Sequence, residues 1–186
     1  MTIRITGGEA RGRGVASPKG QVARPTSSKI RQALFNILGA KIVKANFLDV
    51  FAGSGIMGLE ALSRGSDKLT CIEIDRKLAK SLEGTLETFN YEASIIVGDA
   101  RDALKKLSKD HFDIIFADPP YQSNLAQSTV YLVDKNELLK TDGILIIEHS
   151  TSTKLDFEKT RLYPYDRRKY GQTELTLIKR QEEVNG

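Results

Sequence analysis

The chain has 186 residues, with 28 Lys+Arg against 24 Asp+Glu for a formal charge of +4, and 40% of it is hydrophobic. That size suits one compact domain with at most a short appendage, and the apolar content excludes wholesale disorder. No apolar run approaches the ~18 residues of a membrane helix, residues 1–11 lack a signal-peptide stretch, and Cys71 stands alone; a cytoplasmic protein without a disulfide framework is expected.

The charge is uneven along the chain. Residues 1–44 hold nine Lys/Arg and one acid, Glu9; residues 45–153 hold eleven against seventeen acids; residues 154–186 hold eight against six. A basic arm ahead of a mildly acidic domain suits a polyanionic partner, because phosphate contacts release counterions. Ile3 to Thr6 predicts a short strand, and the Gly/Arg-rich stretch after it a turn or flexible loop. Ser27 or Ser28 is placed to cap a helix with a stripe of Ile30, Ala33, Leu34, Ile37 and Leu38, ended by Gly39. That stripe needs a surface to pack on, so it anchors the arm.

From Asn46 strands and helices alternate. NFLDVF is a buried strand, Ile56 to Ser63 a helix, and LTCIEI a second strand. A helix with Leu78, Leu82, Leu86 and Phe89 on one side follows, then ASIIV as a third strand. Asp99 is placed to cap the next helix, FDIIFA is a fourth strand, Gln122 to Asn136 a helix, and GILIIEH a fifth strand. Nearly continuous Val/Ile/Leu runs separated by helices predict a parallel sheet covered on both faces. Asp156 to Leu162 and Glu174 to Lys179 predict two further strands, too closely joined for a helix and therefore antiparallel.

AGSGIMG supplies Gly53, Gly55 and Gly58 directly after a strand and at the opening of a helix. Such a loop lets a ligand approach the main chain, and the helix N-terminus favours an anion. Glu73, at the end of the second strand, is placed to accept hydrogen bonds from ribose hydroxyls, with Asp75 more suited to capping the next helix. Loop and acid together predict an adenosine cofactor without choosing between NAD, FAD and S-adenosylmethionine. Asp99, in GDA after the third strand, suits an adenine amino group or a helix cap.

Asp118-Pro119-Pro120-Tyr121 follows the fourth strand, at the carboxyl edge where open α/β sheets bind ligands. Two prolines stop the strand and fix the direction of the Asp and the neighbouring carbonyls. An exocyclic amine on a purine is a poor nucleophile, because its lone pair is delocalised into the ring. Acceptors aimed at its two hydrogens, the Asp118 carboxylate and the Pro119 carbonyl, favour a pyramidal nitrogen with a free lone pair. Catalysis is then positioning and electrostatics, and Tyr121 offers a flat face for the base.

DVFAGSGIMGLEALSRG, IEID, GDA and DPPY together resemble the class I S-adenosylmethionine-dependent amino-methyltransferases, and RITGGEARGR with RPTSSKIRQALFNIL narrows this to the bacterial small-subunit rRNA guanine-N2 methyltransferases, the RsmD-like family. The resemblance runs from about Ile3 to Lys179. It implies a Rossmann-like α/β fold: a mostly parallel seven-stranded sheet with an antiparallel closing hairpin, helices on both faces, and a short basic extension. Residues 1–44 would be an RNA-binding extension with its anchoring helix, and residues 45–186 the methyltransferase domain. It implies methyl transfer from S-adenosylmethionine to N2 of one guanine in 16S rRNA, in an assembled or assembling small ribosomal subunit, by a monomer. Asp49, Phe51, Gly53, Ser54, Gly55, Glu73, Ile74, Asp99 and Ala100 would hold the cofactor, and Asp118, Pro119, Pro120 and Tyr121 the target base. Lys29 stands where the family has Arg, keeping the charge but not a bidentate grip.

Arg4, Arg11, Arg13, Arg24 and Arg31 are candidates for RNA backbone contacts in the arm. Arg167, Arg168, Lys169 and Tyr170 are candidates in the closing turn, which emerges at the carboxyl edge of the sheet. His111 and His149 lack partners at metal-ligand spacing, so no metal site is expected, and Cys71 reads as a small core residue. Three other functions share parts of the pattern. They are a DNA adenine-N6 methyltransferase, for which a duplex-reading domain is not apparent, a NAD-linked oxidoreductase, for which DPPY supplies no proton donor, and a non-catalytic RNA-binding assembly factor.

Overall fold

The computed structural model describes residues 2–16, 27–121 and 124–181, which pack as two compact units divided after Ala100. In the first unit, β1 (Thr2–Arg4) and β2 (Gly14–Ala16) pair antiparallel, with Thr2 opposite Ala16. Of the two forms expected for the intervening Gly/Arg stretch, it takes the turn. Ile5 N donates to Arg13 O at 3.0 Å and Gly12 N to Ile5 O at 2.9 Å, and Ile5, Ala10 and Val15 are buried. Ser63 fastens this hairpin from outside: its carbonyl accepts from Glu9 N at 2.8 Å, and its hydroxyl accepts from Ala10 N at 2.9 Å and donates to Gly7 O at 2.7 Å. Gly8 lets the two backbones touch, since at φ +78° a Cβ there would sit 1.8 Å from the Ser63 carbonyl oxygen.

Helix α1 (Ser28–Leu38) starts at Ser27, whose hydroxyl accepts from Ile30 N at 3.2 Å, and stops at Gly39 with φ 52°. A 3-10 turn (Gly39–Ile42) follows. The buried face of α1 is rotated from the expected stripe: Ile30, Arg31, Leu34, Phe35 and Leu38 are buried, while Ala33 and Ile37 are half-buried. An arginine takes a core position because an acid waits there, as described below. Strands β3 (Asn46–Asp49), β4 (Lys68–Glu73) and β5 (Ser94–Val97) run parallel in the order β5-β4-β3. Helix α2 (Ile56–Ser63) is buried almost all round, and α3 (Arg76–Phe89) is one-sided, starting at Asp75, which accepts from Lys77 N and Leu78 N, and ending at Asn90. α4 (Ala100–Leu104) lies at the division in the chain.

In the second unit β6 (Phe112–Ala117) and β7 (Leu139–Ser150) pair parallel, with α5 (Leu125–Lys135) between them in sequence. β9 (Thr173–Arg180) is antiparallel to β7 and to β8 (Leu162–Tyr170), giving the order β6-β7-β9-β8. The closing hairpin is thus present but its first strand is displaced: residues 156–161, expected as strand, form a loop. Side chains of α5 satisfy that loop instead. Gln127 Nε2 donates to Asp156 O and its Oε1 accepts from Asp156 N, both at 2.8 Å, and Arg161 pairs with Asp134 at 3.2 Å. With seven strands in a mostly parallel sheet, closed by an antiparallel hairpin and flanked by helices, the fold is Rossmann-like α/β. No helix among the described residues is long and apolar enough to cross a membrane.

Candidate active site

The glycine loop follows β3 as sequence spacing predicts. Gly53 and Gly55 have φ 55° and 74°, left-handed values that most side chains resist, and Gly55 N donates to Ala52 O at 2.7 Å to close the turn. A Cβ at Gly53 would meet no atom within 4 Å, so the loop leaves open space above it. Glu73 holds this loop: its Oε2 accepts from Gly53 N at 2.7 Å and its Oε1 from Asp75 N at 2.8 Å. Each oxygen keeps a further lone pair for a hydroxyl. Ile74, 69% exposed, stands at the rim beside it. Gly98 N donates to Glu73 O at 2.9 Å, so Asp99, half-buried, and Ala100, buried, follow directly beside the end of β4. Phe51 and Ser54 are half-buried on the loop.

Asp49, the last residue of β3, is fully buried, and neither carboxylate oxygen has a hydrogen-bond partner among the described residues. Burial pushes its pKa up to about 7, and the nearby charge of Glu73 adds to this; the Gly58 and Phe51 amides, short of hydrogen-bond geometry, oppose it. A buried, unpartnered carboxyl at the end of the strand that feeds the glycine turn fits a cofactor that is itself cationic, whose charge would favour the ionised form. The pH dependence follows from the sign of the shift. The folded state keeps this proton between pH ~4 and about 7 while the unfolded chain releases it, so the contribution to stability is lost as pH rises through that window. Asp49→Asn is expected to remove up to about 1.4 kcal/mol per pH unit of that slope. Denaturant titrations at pH 5, 6 and 7 (roughly the span set by the two pKa values) check it; parallel curves for the two proteins would reject the protonated, buried Asp49.

In the second unit the Asp-Pro-Pro-Tyr tetrad leaves the end of β6 where expected. Asp118 is half-buried, Pro119 buried, and Pro120 and Tyr121 exposed. A distant residue holds Tyr121: its hydroxyl lies 2.8 Å from Thr173 Oγ1, at the start of β9. Arg167, Arg168 and Lys169 are exposed and Tyr170 half-buried, but they belong to β8, and the turn proper is Gly171, at φ 63°, and Gln172. Arg168 pairs with Asp166 at 2.9 Å and Lys169 lies 3.7 Å from Glu174. His149 is buried, with Nε2 2.8 Å from Thr176 Oγ1, in keeping with a packing role.

The arm arginines divide. Arg11 is exposed; Arg4 is exposed with one nitrogen donating to Gly12 O at 2.8 Å. Arg13 is exposed but occupied, donating to Thr88 O at 2.8 Å and stacked 3.8 Å from the Phe89 ring centre. Arg24 lies outside the described residues. Arg31 leaves the set of RNA contacts: it is fully buried, its Nε donates to Glu60 Oε2 at 3.1 Å and another nitrogen to Arg4 O at 2.6 Å. Glu60, also fully buried, was not singled out from sequence, since an acid in a short helix ordinarily faces water.

The family model described as Conserved hypothetical protein 95 matches residues 3–179. The chain is 37% identical over 150 residues to Ribosomal RNA small subunit methyltransferase D of Haemophilus influenzae, covering 78% of each chain. It is 39% identical over 147 residues to the protein of that name in Escherichia coli K12, covering 78% of this chain and 74% of the relative. The solved structure of yhhF from Escherichia coli superposes with a TM-score of 0.88 at 35% identity, covering 97% of this chain and 99% of that one.

Proposed function

Since the chain belongs to the RsmD-like family of class I S-adenosylmethionine-dependent rRNA methyltransferases, we propose that it methylates N2 of one guanine in the 16S rRNA of an assembled or assembling small subunit. The observation that carries this reading is the tetrad at the end of β6, with Tyr121 exposed and its hydroxyl tied to Thr173. S-adenosylmethionine, when bound, supplies a methyl group on a positively charged sulfur. Gly53 and Gly55 give it a close approach to the main chain, and Phe51 and Ser54 line that loop. Glu73 receives the ribose hydroxyls while keeping Gly53 in place. Ile74 and Ala100 flank the adenine, and Asp99 accepts from its amino group. Asp49, which a bound cation would favour in its ionised form, would supply a buried negative charge to the cofactor.

The acceptor side belongs to the second unit. Tyr121 stacks the guanine, the Pro119 carbonyl and Asp118 carboxylate accept from the two amino hydrogens, and the rigid prolines hold these acceptors still. As the nitrogen takes the methyl group it releases a proton, which Asp118 is placed to receive. No covalent enzyme intermediate is needed. Arg4, Arg11, Arg13, Arg167, Arg168 and Lys169 supply phosphate contacts, and residues 1–44 act as an RNA-binding extension built onto the first unit. The test is transfer of labelled methyl from S-adenosylmethionine to unmodified small subunits, followed by digestion of the rRNA to nucleosides. N2-methylguanosine is the expected product. Label in N6-methyladenosine of DNA would favour the DNA reading, and no label in guanosine would overturn this one.

A further inference from the structure

Strand β8 lies at the outer edge of its sheet, and it carries more than the guards such a strand needs. Pro164, Arg167, Arg168 and Lys169 are the residue types that keep an edge strand from recruiting another chain. Tyr163 and Tyr165 are not. Both are exposed, at 38% and 39%, on a strand where uncovered aromatic rings invite aggregation rather than prevent it.

The register shows where these rings stand. Tyr163 is opposite Lys179, Arg168 opposite Leu175, and Tyr170 opposite Thr173, so these side chains project from one side of the hairpin. The pairing slips between Pro164 and Asp166, and this irregularity brings Tyr165 to the same side, where Lys179 Nζ lies 4.9 Å from its ring centre. Tyr163, Tyr165, Arg168 and Tyr170 therefore run along the rim with Lys179, about 23 Å at the usual rise per residue, and Asp166, opposite Leu177 on the same side, is held by Arg168 at 2.9 Å. At its upper end the row meets the tetrad, because Thr173, opposite Tyr170, holds the hydroxyl of Tyr121.

We infer that this rim of the β8–β9 hairpin is a track for single-stranded RNA flanking the target base, with bases stacked on Tyr163 and Tyr165 and phosphates met by Lys179 and Arg168. The inference rests on the reading of the chain as an rRNA methyltransferase and extends it by naming a surface and its ligand. The occupant follows from the chemistry: every base has a flat π-face for a tyrosine, and every linkage a charge for a lysine or arginine. The hairpin from residue 162 to 181 carries five Lys/Arg against two acids, which suits a polyanion and repels a basic partner. Thr173 joins the track to the stacking ring of Tyr121 at its end.

The test uses the full chain and a fluorescein-labelled single-stranded oligoadenosine of about 12 nucleotides, a length within the range of compact single-strand sites. Tyr163→Ser with Tyr165→Ser is expected to weaken binding at least tenfold. Lys179→Gln should reduce the slope of log affinity against log salt by about 0.7. Tyr131→Ser is the control: Tyr131 on α5 is 48% exposed with Lys135 Nζ 5.6 Å from its ring, the same pairing away from the hairpin, and its loss should leave affinity unchanged. On unmodified small subunits the double variant should raise KM for the subunit with kcat held. Wild-type affinity in the double variant, or an equal loss in Tyr131→Ser, overturns the track. A wild-type chain that transfers no methyl to small subunits overturns the reading beneath it, which a binding result on oligoadenosine does not touch.

Discussion

Asp118→Ala is expected to lower kcat for rRNA methylation by roughly 10²–10³-fold, the loss typical of deleting one preorganised polar group at the reacting centre. Asp118 takes its direction from β6, whose last residues are buried, and from Pro119, itself buried. The variant should therefore fold and melt as wild type does. Its affinity for S-adenosylmethionine should also hold, because the groups assigned to the cofactor lie on the loop after β3 and at the ends of β4 and β5. Asp118→Asn separates two contributions. It keeps one acceptor oxygen but loses the charge and the ability to take the proton, so it should fall between Ala and wild type. Single-turnover rates, with enzyme and cofactor in excess over small subunits, read the chemical step. A rate within tenfold of wild type in Asp118→Ala would remove the carboxylate from the reaction.

The parts of this molecule that sequence predicts well are those where one residue type has one physical use. Gly53 and Gly55 are legible because the turn demands positive φ, which other residues resist. FDIIFA matches β6 residue for residue, since a strand buried on both faces is apolar but for Asp113, which is half-buried and paired with Lys140. Ser27 and Gly39 bound α1 through hydrogen bonds local to the chain. Features that depend on distant partners are hidden. β2 is three residues inside a Gly/Arg stretch, recognisable only once Ile5, Arg13 and Ser63 are brought together. β8 contains a proline between two tyrosines and then four consecutive charged residues, which an edge strand tolerates, so no apolar run marks its start. The tie between Tyr121 and Thr173 spans 52 residues, and nothing near either residue announces it.

Glu60 is the strongest case of a hidden partner, and Glu60→Ala is expected to destabilise the protein by about 3–5 kcal/mol, the cost of stripping one side from a buried ion pair. Its carboxylate accepts from four donors. Thr6 N lies at 2.8 Å, Thr6 Oγ1 at 2.6 Å, Arg31 Nε at 3.1 Å and Arg64 Nε at 2.9 Å. These come from the hairpin, α1 and the residue that caps α2, so one side chain fixes the basic arm to the helix that opens at the glycine loop. Burial lowers the pKa of Arg31, and the Glu60 charge opposes that shift, so removing Glu60 leaves the guanidinium charged and enclosed with its main counter-ion gone. Glu60→Gln should help little, because whichever way its amide turns the nitrogen confronts the donor of one arginine, Arg31 or Arg64. Combining Glu60→Leu with Arg31→Met should recover part of the loss, since it withdraws the buried charges together and retains the volume. Chemical denaturation of the three variants measures this, and limited proteolysis between β1 and β2 reports whether the arm has come loose. A loss below 1 kcal/mol in Glu60→Ala, or no recovery in the double variant, would mean that packing of Leu34, Phe35 and Leu38 holds the arm without the ion pair.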